Sequence, residues 1–248
     1  MHNLGQTRSS HGSNHLLLAA DTFVRTTLPG MTKCLAVVHV GPALGAKFTE
    51  YTAEFQSGGE LGYTPAQRFL YVTAGTVKVK VRGEQHSLGA RGYAYLPEGM
   101  EHQVIATQAS RTIVIEKCYH RLESTPSPQA IISSEEAVSS HPLQDDPGLQ
   151  IKCLLPDKMS FDFAVNTMVY QPGASLPMVE MHVMEHGLMM LEGGGIYRLD
   201  NSWYPVTAGD FIWMGPWCPQ WFGALGKAPA KYLIYKDANR HPLAGAQQ

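Results

Sequence analysis

Residues 92–102 read GYAYLPEGMEH, and residues 209–220 read GDFIWMGPWCPQ. Each stretch opens on a glycine, runs through a short apolar piece and a proline turn, and closes on a polar side chain, His102 or Gln220. The match extends upstream. RFLYVTAG ends at Gly75 and HGLMMLEGG reaches Gly193, an offset of 118, and a strand-like piece follows each (VKVKVRG and IYRLDNSW). Gly92 and Gly209 are offset by 117, whereas His102 and Gln220 return to 118, so the alignment predicts one inserted residue in the second motif. Self-similarity at a fixed offset marks two copies of one structural unit. The strict alternation of KVKVRG is that of a strand with one wet face.

Outward from these motifs, short strand-like segments recur between turn signals. CLAVVHV, KFTEYTAEF, HQVIA and RTIVIEKCY complete the first copy. IKCLLP, FAVNTMVYQPG, SWYPVTAGDFIWMG and KYLIYKD complete the second. Such spacing predicts an all-β sandwich or barrel. The expected organisation is an N-terminal arm over 1–30, a barrel over 31–122, a Ser-, Pro- and acid-rich linker over 123–149 with a short helical piece around SSEEAVSS, and a second barrel over 150–248.

Composition agrees. The 248 residues are 44% hydrophobic and only 16% charged, with 24 Gly and 16 Pro; an average soluble chain is roughly 25% charged. A net charge of −2 leaves no electrostatic footprint for nucleic acid. No apolar run approaches the ~18 residues of a membrane span, and Leu16–Ala20 is too short for the core of a signal peptide. Cys34, Cys118, Cys153 and Cys218 form no CxxC pair, so free thiols in a reducing cytoplasm are expected.

The second copy carries the chemistry. Val179–His186 reads VEMHVMEH. On a strand, Glu180, His182 and His186 lie at even spacing and face one way, with Gln220 added by the second motif. One carboxylate, two imidazoles and an amide oxygen suit an octahedral divalent ion, Mn²⁺ before Fe²⁺. The same residues also fit a solvated strand. Glu185 has the opposite parity and is expected exposed or behind the ligands. In the first copy the offset of 118 gives Gly62, Thr64, Arg68 and His102, of which only His102 ligates metals strongly. That lobe is expected to be metal-free, with Arg68 structural or solvated rather than an anion site. Tyr232 and Lys236 share one face of a strand, and a Lys aimed into an apolar barrel calls for a negative charge; a Lys at a strand end is the bland alternative. Tyr197 lines the mouth or is a core aromatic. Trp203, Trp213, Trp217 and Trp221 read as packing, or, for Trp217 and Trp221, as pocket walls. His2, His11 and His15 read as incidental.

The strand–Gly–strand–Pro-x-Gly-x-x-His text resembles the cupin superfamily, and two copies imply a bicupin of jelly-roll barrels. The Glu-x-His-x-x-x-His…Gln set, with GGGIYRLDNSWYPVTAGDFIWMG over 193–215 and YLIYKDANR over 232–240, resembles the (S)-ureidoglycine aminohydrolase family of allantoin degradation. The likeness is strong over 160–241 and rests on general bicupin layout over 33–122. It implies a Mn²⁺-dependent homo-oligomer that replaces the amine of ureidoglycine by hydroxyl, giving ureidoglycolate and ammonia. By position it implies Glu180, His182, His186 and Gln220 as metal ligands and Tyr232 and Lys236 as substrate contacts. A bicupin dioxygenase or decarboxylase on a small carboxylic acid, and a non-catalytic binding cupin, are the competing readings.

Overall fold

The computed structural model describes residues 6–240; His2 lies outside them. In chain order the strands are β1 (Ser10–His11), β2 (His15–Leu18), β3 (Thr32–Val40), β4 (Thr49–Glu60), β5 (Gln67–Ala74), β6 (Val77–Val81), β7 (Glu84–Leu88), β8 (Gly92–Leu96), β9 (His102–Ala106), β10 (Ser110–Lys117) and β11 (Ile131–Ser134). They continue as β12 (His141–Leu143), β13 (Asp146–Cys153), β14 (Phe163–Tyr170), β15 (His186–Glu192), β16 (Gly194–Leu199), β17 (Ser202–Thr207), β18 (Phe211–Met214), β19 (Gln220–Ala224) and β20 (Ala230–Asp237). The helical content among the described residues is three short 3₁₀ turns. No helix of the described residues is long and apolar enough to cross a membrane. The fold is all-β, as the repeated motifs predict.

Among the described residues two compact units emerge: 24–138, and 6–23 together with 139–240. The first holds one sheet in the order β11-β8-β5-β10-β4-β9-β6-β7, with β3 also on β4. The second holds β1-β2-β18-β15-β20-β14-β13-β12 and a smaller sheet β17-β16-β19. Alternation drives the burial: along β6, Val77, Val79 and Val81 are buried while Lys78 and Lys80 turn outward. Each unit closes its own core, around Tyr51, Leu70, Val79 and Val114 in one and around Tyr170, Leu188, Tyr197 and Phe222 in the other.

The N-terminal segment belongs to the second unit. Leu16 and Leu17 are buried, and β2 pairs with β18 from Phe211↔Leu18 to Met214↔His15. Arg8 clamps this segment through both carboxylate oxygens of the fully buried Asp210. His15 is buried and bonded to Tyr204 Oη at 2.9 Å, a packing role. The 123–149 segment contributes β11 to the first unit, where it pairs with β8, and β12 to the second. Its helical piece is a single 3₁₀ turn, Glu135–Ala137, capped by the Ser134 side chain.

The repeat holds at one offset throughout the second motif. Arg68↔Leu96 and Tyr71↔Tyr93 in one unit match His186↔Met214 and Met189↔Phe211 in the other. The structural counterpart of Gly209 (φ 93) is therefore Arg91 (φ 67), not Gly92. The expected insertion does not exist; a left-handed Arg in one copy does the work of a Gly in the other. Gly75 and Gly193 are true counterparts. Both have positive φ, and an added Cβ would lie 2.5 Å from a backbone carbonyl, Ala109 O or Pro229 O.

Candidate metal centre and active site

A cavity of about 190 Å³ opens within the second unit. Glu180, His182, His186 and Gln220 all line it, as do Tyr197, Tyr232 and Lys236. Apolar side chains including Ile151, Met168, Leu176 and Ile234 form most of the rest of its wall. The expected candidates thus share one space.

They reach it differently from the sequence reading. Residues 180–186 do not form the expected strand. Glu180 makes an isolated antiparallel bridge to Gln220, with N–H···O distances of 2.8 and 2.9 Å, and the chain then leaves extended pairing until His186 opens β15. The reason is the partner: past Gln220 the facing backbone is a turn, and the His182 carbonyl instead accepts from the Trp217 N–H at 2.7 Å. The carboxylate and imidazoles converge because both ends of the loop are pinned, not because of strand parity. Of the two expectations for Glu185, exposure does not hold. It is buried, and its carboxylate accepts from Trp213 Nε1 at 3.1 Å. Trp217 is exposed, and Trp221 donates to the Leu176 carbonyl; neither lines the cavity.

His186 is pinned between β18 and β20, opposite Met214 and Lys236. Its Nδ1 faces the Met184 carbonyl at 3.1 Å and must donate there, which leaves Nε2 with its lone pair. Burial pushes its pKa down to about 3, helped by His182 and Lys236, so the ring is neutral. The two imidazoles stack with centroids 5.3 Å apart, and His182 Nε2 lies 3.1 Å from Glu180 Oε2. Tyr197 donates to Gln220 Oε1 at 3.3 Å, and the Tyr232 and Tyr170 hydroxyls share a 2.6 Å hydrogen bond. Burial raises all three phenols well above their ordinary range, so they stay protonated.

Among the described residues no three His, Cys, Asp or Glu side chains are gathered into a metal cluster. Glu180 and His182 face each other in a hydrogen bond instead. In kind, however, the donors fit a divalent cation: a carboxylate, a neutral imidazole with a bare nitrogen, a second imidazole and an amide oxygen on one cavity wall.

The first unit puts the corresponding positions to another use. Arg68, the counterpart of His186, is buried and donates to Glu116 Oε1 at 2.8 Å, to the Gly62 carbonyl at 2.8 Å and to His102 Nε2 at 2.9 Å. Gly62 and His102 are the counterparts of Glu180 and Gln220. Three of the four positions therefore meet around a guanidinium. Glu116 lies opposite Arg68 as Lys236 lies opposite His186, and Tyr51 completes the network by donating to Glu116 at 2.9 Å.

Sequence reasoning missed Asn166, which lines the cavity and is 4% exposed. Its signal was present: it is the one polar side chain besides a threonine in the apolar strand FAVNTMVY. Tyr170, the partner of Tyr232, was missed as well, because an aromatic in such a strand reads as core.

Comparison with known proteins follows the geometry. The Cupin domain profile matches residues 52–116 and 166–235, one match in each unit. A protein of Oryza sativa subsp. japonica named "Probable (S)-ureidoglycine aminohydrolase" is 39% identical over 244 residues, covering 96% of this chain and 78% of its own. The (S)-ureidoglycine aminohydrolase of Escherichia coli (strain K12) is 32% identical over 237 residues, covering 93% and 90%. The crystal structure of protein Ylba from E. coli superposes with a TM-score of 0.84 at 30% identity, covering 96% of this chain and 97% of that one. The chain belongs to the cupin-domain proteins and, within them, to the (S)-ureidoglycine aminohydrolase family.

Proposed function

We propose that the protein hydrolyses (S)-ureidoglycine to (S)-ureidoglycolate and ammonia, as a step of purine (allantoin) catabolism. The observation that carries the reading is the meeting of Glu180, His182, His186 and Gln220 on one cavity that also receives Lys236. Family membership supports it.

Glu180, His182, His186 and Gln220 would hold a divalent cation, Mn²⁺ before Fe²⁺. When bound, such an ion supplies Lewis-acid activation of water and orientation of the substrate. The protein's own side chains do the rest. The substrate carbon bears an amine, a ureido nitrogen and a carboxylate. Lys236 meets the carboxylate with opposite charge. The neutral phenols of Tyr232 and Tyr197 offer hydrogen bonds at the same wall. Glu180 carries a proton to the departing amine. The ureido nitrogen's electron pair helps expel ammonia, and water adds to the same carbon. The apolar walls limit access of bulk water and favour a single direction of attack. The working protein is a homo-oligomer of the cytoplasm, acting on a small molecule rather than on nucleic acid or membrane.

The test is freshly generated ureidoglycine with purified protein, with and without added Mn²⁺, monitored for ammonia. Metal-stimulated ammonia release is expected. Oxygen consumption or carbon dioxide release without ammonia would replace this reading by an oxygenase or decarboxylase.

A further inference from the structure

Asn166 is a buried residue of β14 whose carboxamide lines the cavity. A carboxamide set among apolar side chains on a cavity wall offers one acceptor and two donors to whatever enters. Its place in the sheet is defined. Asn166 lies directly opposite Ile234, which stands between Tyr232 and Lys236 on the same face of β20. It is therefore a diagonal neighbour of both.

The first unit shows what this position does when no ligand is to be bound. Tyr51 occupies the matching register, opposite Val114 as Asn166 is opposite Ile234. Tyr51 fills the barrel and bonds Glu116, closing the network around Arg68. In the second unit the shorter Asn takes this place and lines the cavity.

We infer that Asn166 recognises the ureido group of the substrate, with its C=O accepting from a ureido N–H and its NH₂ donating to the ureido oxygen. The inference rests on the aminohydrolase reading above. It divides the polar wall by chemistry: Lys236, a cation, takes the carboxylate, and Asn166, neutral with one acceptor and two donors, takes the neutral group of matching pattern. Asn166 then sets specificity for a ureido over a simple 2-amino or 2-hydroxy acid.

The experiment compares wild type with Asn166→Leu, similar in size but unable to hydrogen-bond. Ureidoglycine kinetics are measured beside calorimetric binding of two stable probes in the presence of Mn²⁺. Hydantoate has the ureido group and carboxylate, whereas glycolate has the carboxylate alone. The expected result is a rise of about tenfold or more in KM and an equal loss of hydantoate affinity, with glycolate affinity unchanged. Unchanged hydantoate binding, or an equal loss for glycolate, overturns the inference. Ammonia release by wild type with an unaltered variant refutes Asn166 alone; no release by wild type refutes the reading on which it rests. Should Asn166→Leu fail to fold, Asn166→Ser is read by the same criteria.

Discussion

Arg68 Nη1 lies 2.9 Å from His102 Nε2, and the opposite ring nitrogen of His102 lies 2.7 Å from the Met100 carbonyl. A guanidinium only donates, so the imidazole is neutral, with its proton on Nδ1. Burial holds its pKa below the usual histidine value in agreement. In the first repeat the cation is covalent, delivered on a side chain to the positions that in the second repeat line the candidate metal cavity.

That cation stabilises the first repeat. Arg68→Leu leaves Glu116 without its guanidinium partner and removes three part-buried hydrogen bonds. A loss of about 3 kcal/mol or more is expected, the range for breaking one partner of a buried pair. Urea denaturation of the variant checks this; a change below about 1 kcal/mol would mean that the network contributes little.

In the second repeat, Glu180→Gln keeps an oxygen donor but not a carboxylate base. Turnover is expected to fall by about 10²- to 10⁴-fold, the usual span for a lost acid–base group. Substrate affinity and bound Mn²⁺, measured by elemental analysis, should change much less. Normal turnover would remove Glu180 from the chemistry.

Lys236→Ala is expected to act chiefly on KM, raising it about tenfold or more as the substrate carboxylate loses its charged partner. Lys236→Arg should recover part of the effect. Steady-state kinetics separate the outcomes, and an unchanged KM in the alanine variant would place Lys236 outside the substrate site.

Glu50 makes stability depend on pH. It is fully buried, its Oε2 has no partner, and burial pushes its carboxyl up from 4.5 to about 8. The folded state therefore holds a proton that the unfolded chain releases, so its contribution is complete below pH 4.5 and is lost as pH rises through about 8. Glu50→Gln fixes the neutral form. Its melting temperature should exceed that of wild type at pH 8.5 and match it near pH 4.5; equal curves at both would refute a raised pKa.

The repeat and the all-β class were legible because strand alternation and a fixed offset survive in one sequence. The loop from Glu180 to His186 was not, since even spacing mimics a strand and its pinning by Trp217 and Gln220 is a long-range backbone event. The Gly92–Gly209 pairing misled for a related reason. Letters were matched where the structure matches backbone conformation, and Arg91 supplies the left-handed residue. Asn166 and Tyr51 became informative only through cross-strand register, which no single strand encodes.

The pairing of β2 with β18 carries a practical consequence. Met214, the residue that faces His186, takes His15 on its other side. Trimming or proteolysis within 6–23 would thus peel away a rung two positions from the reacting wall while leaving every chemical group intact. Loss of activity in such truncated protein would report a loosened scaffold, and an expression strategy that sacrifices this segment as a disposable tail would be testing a different enzyme.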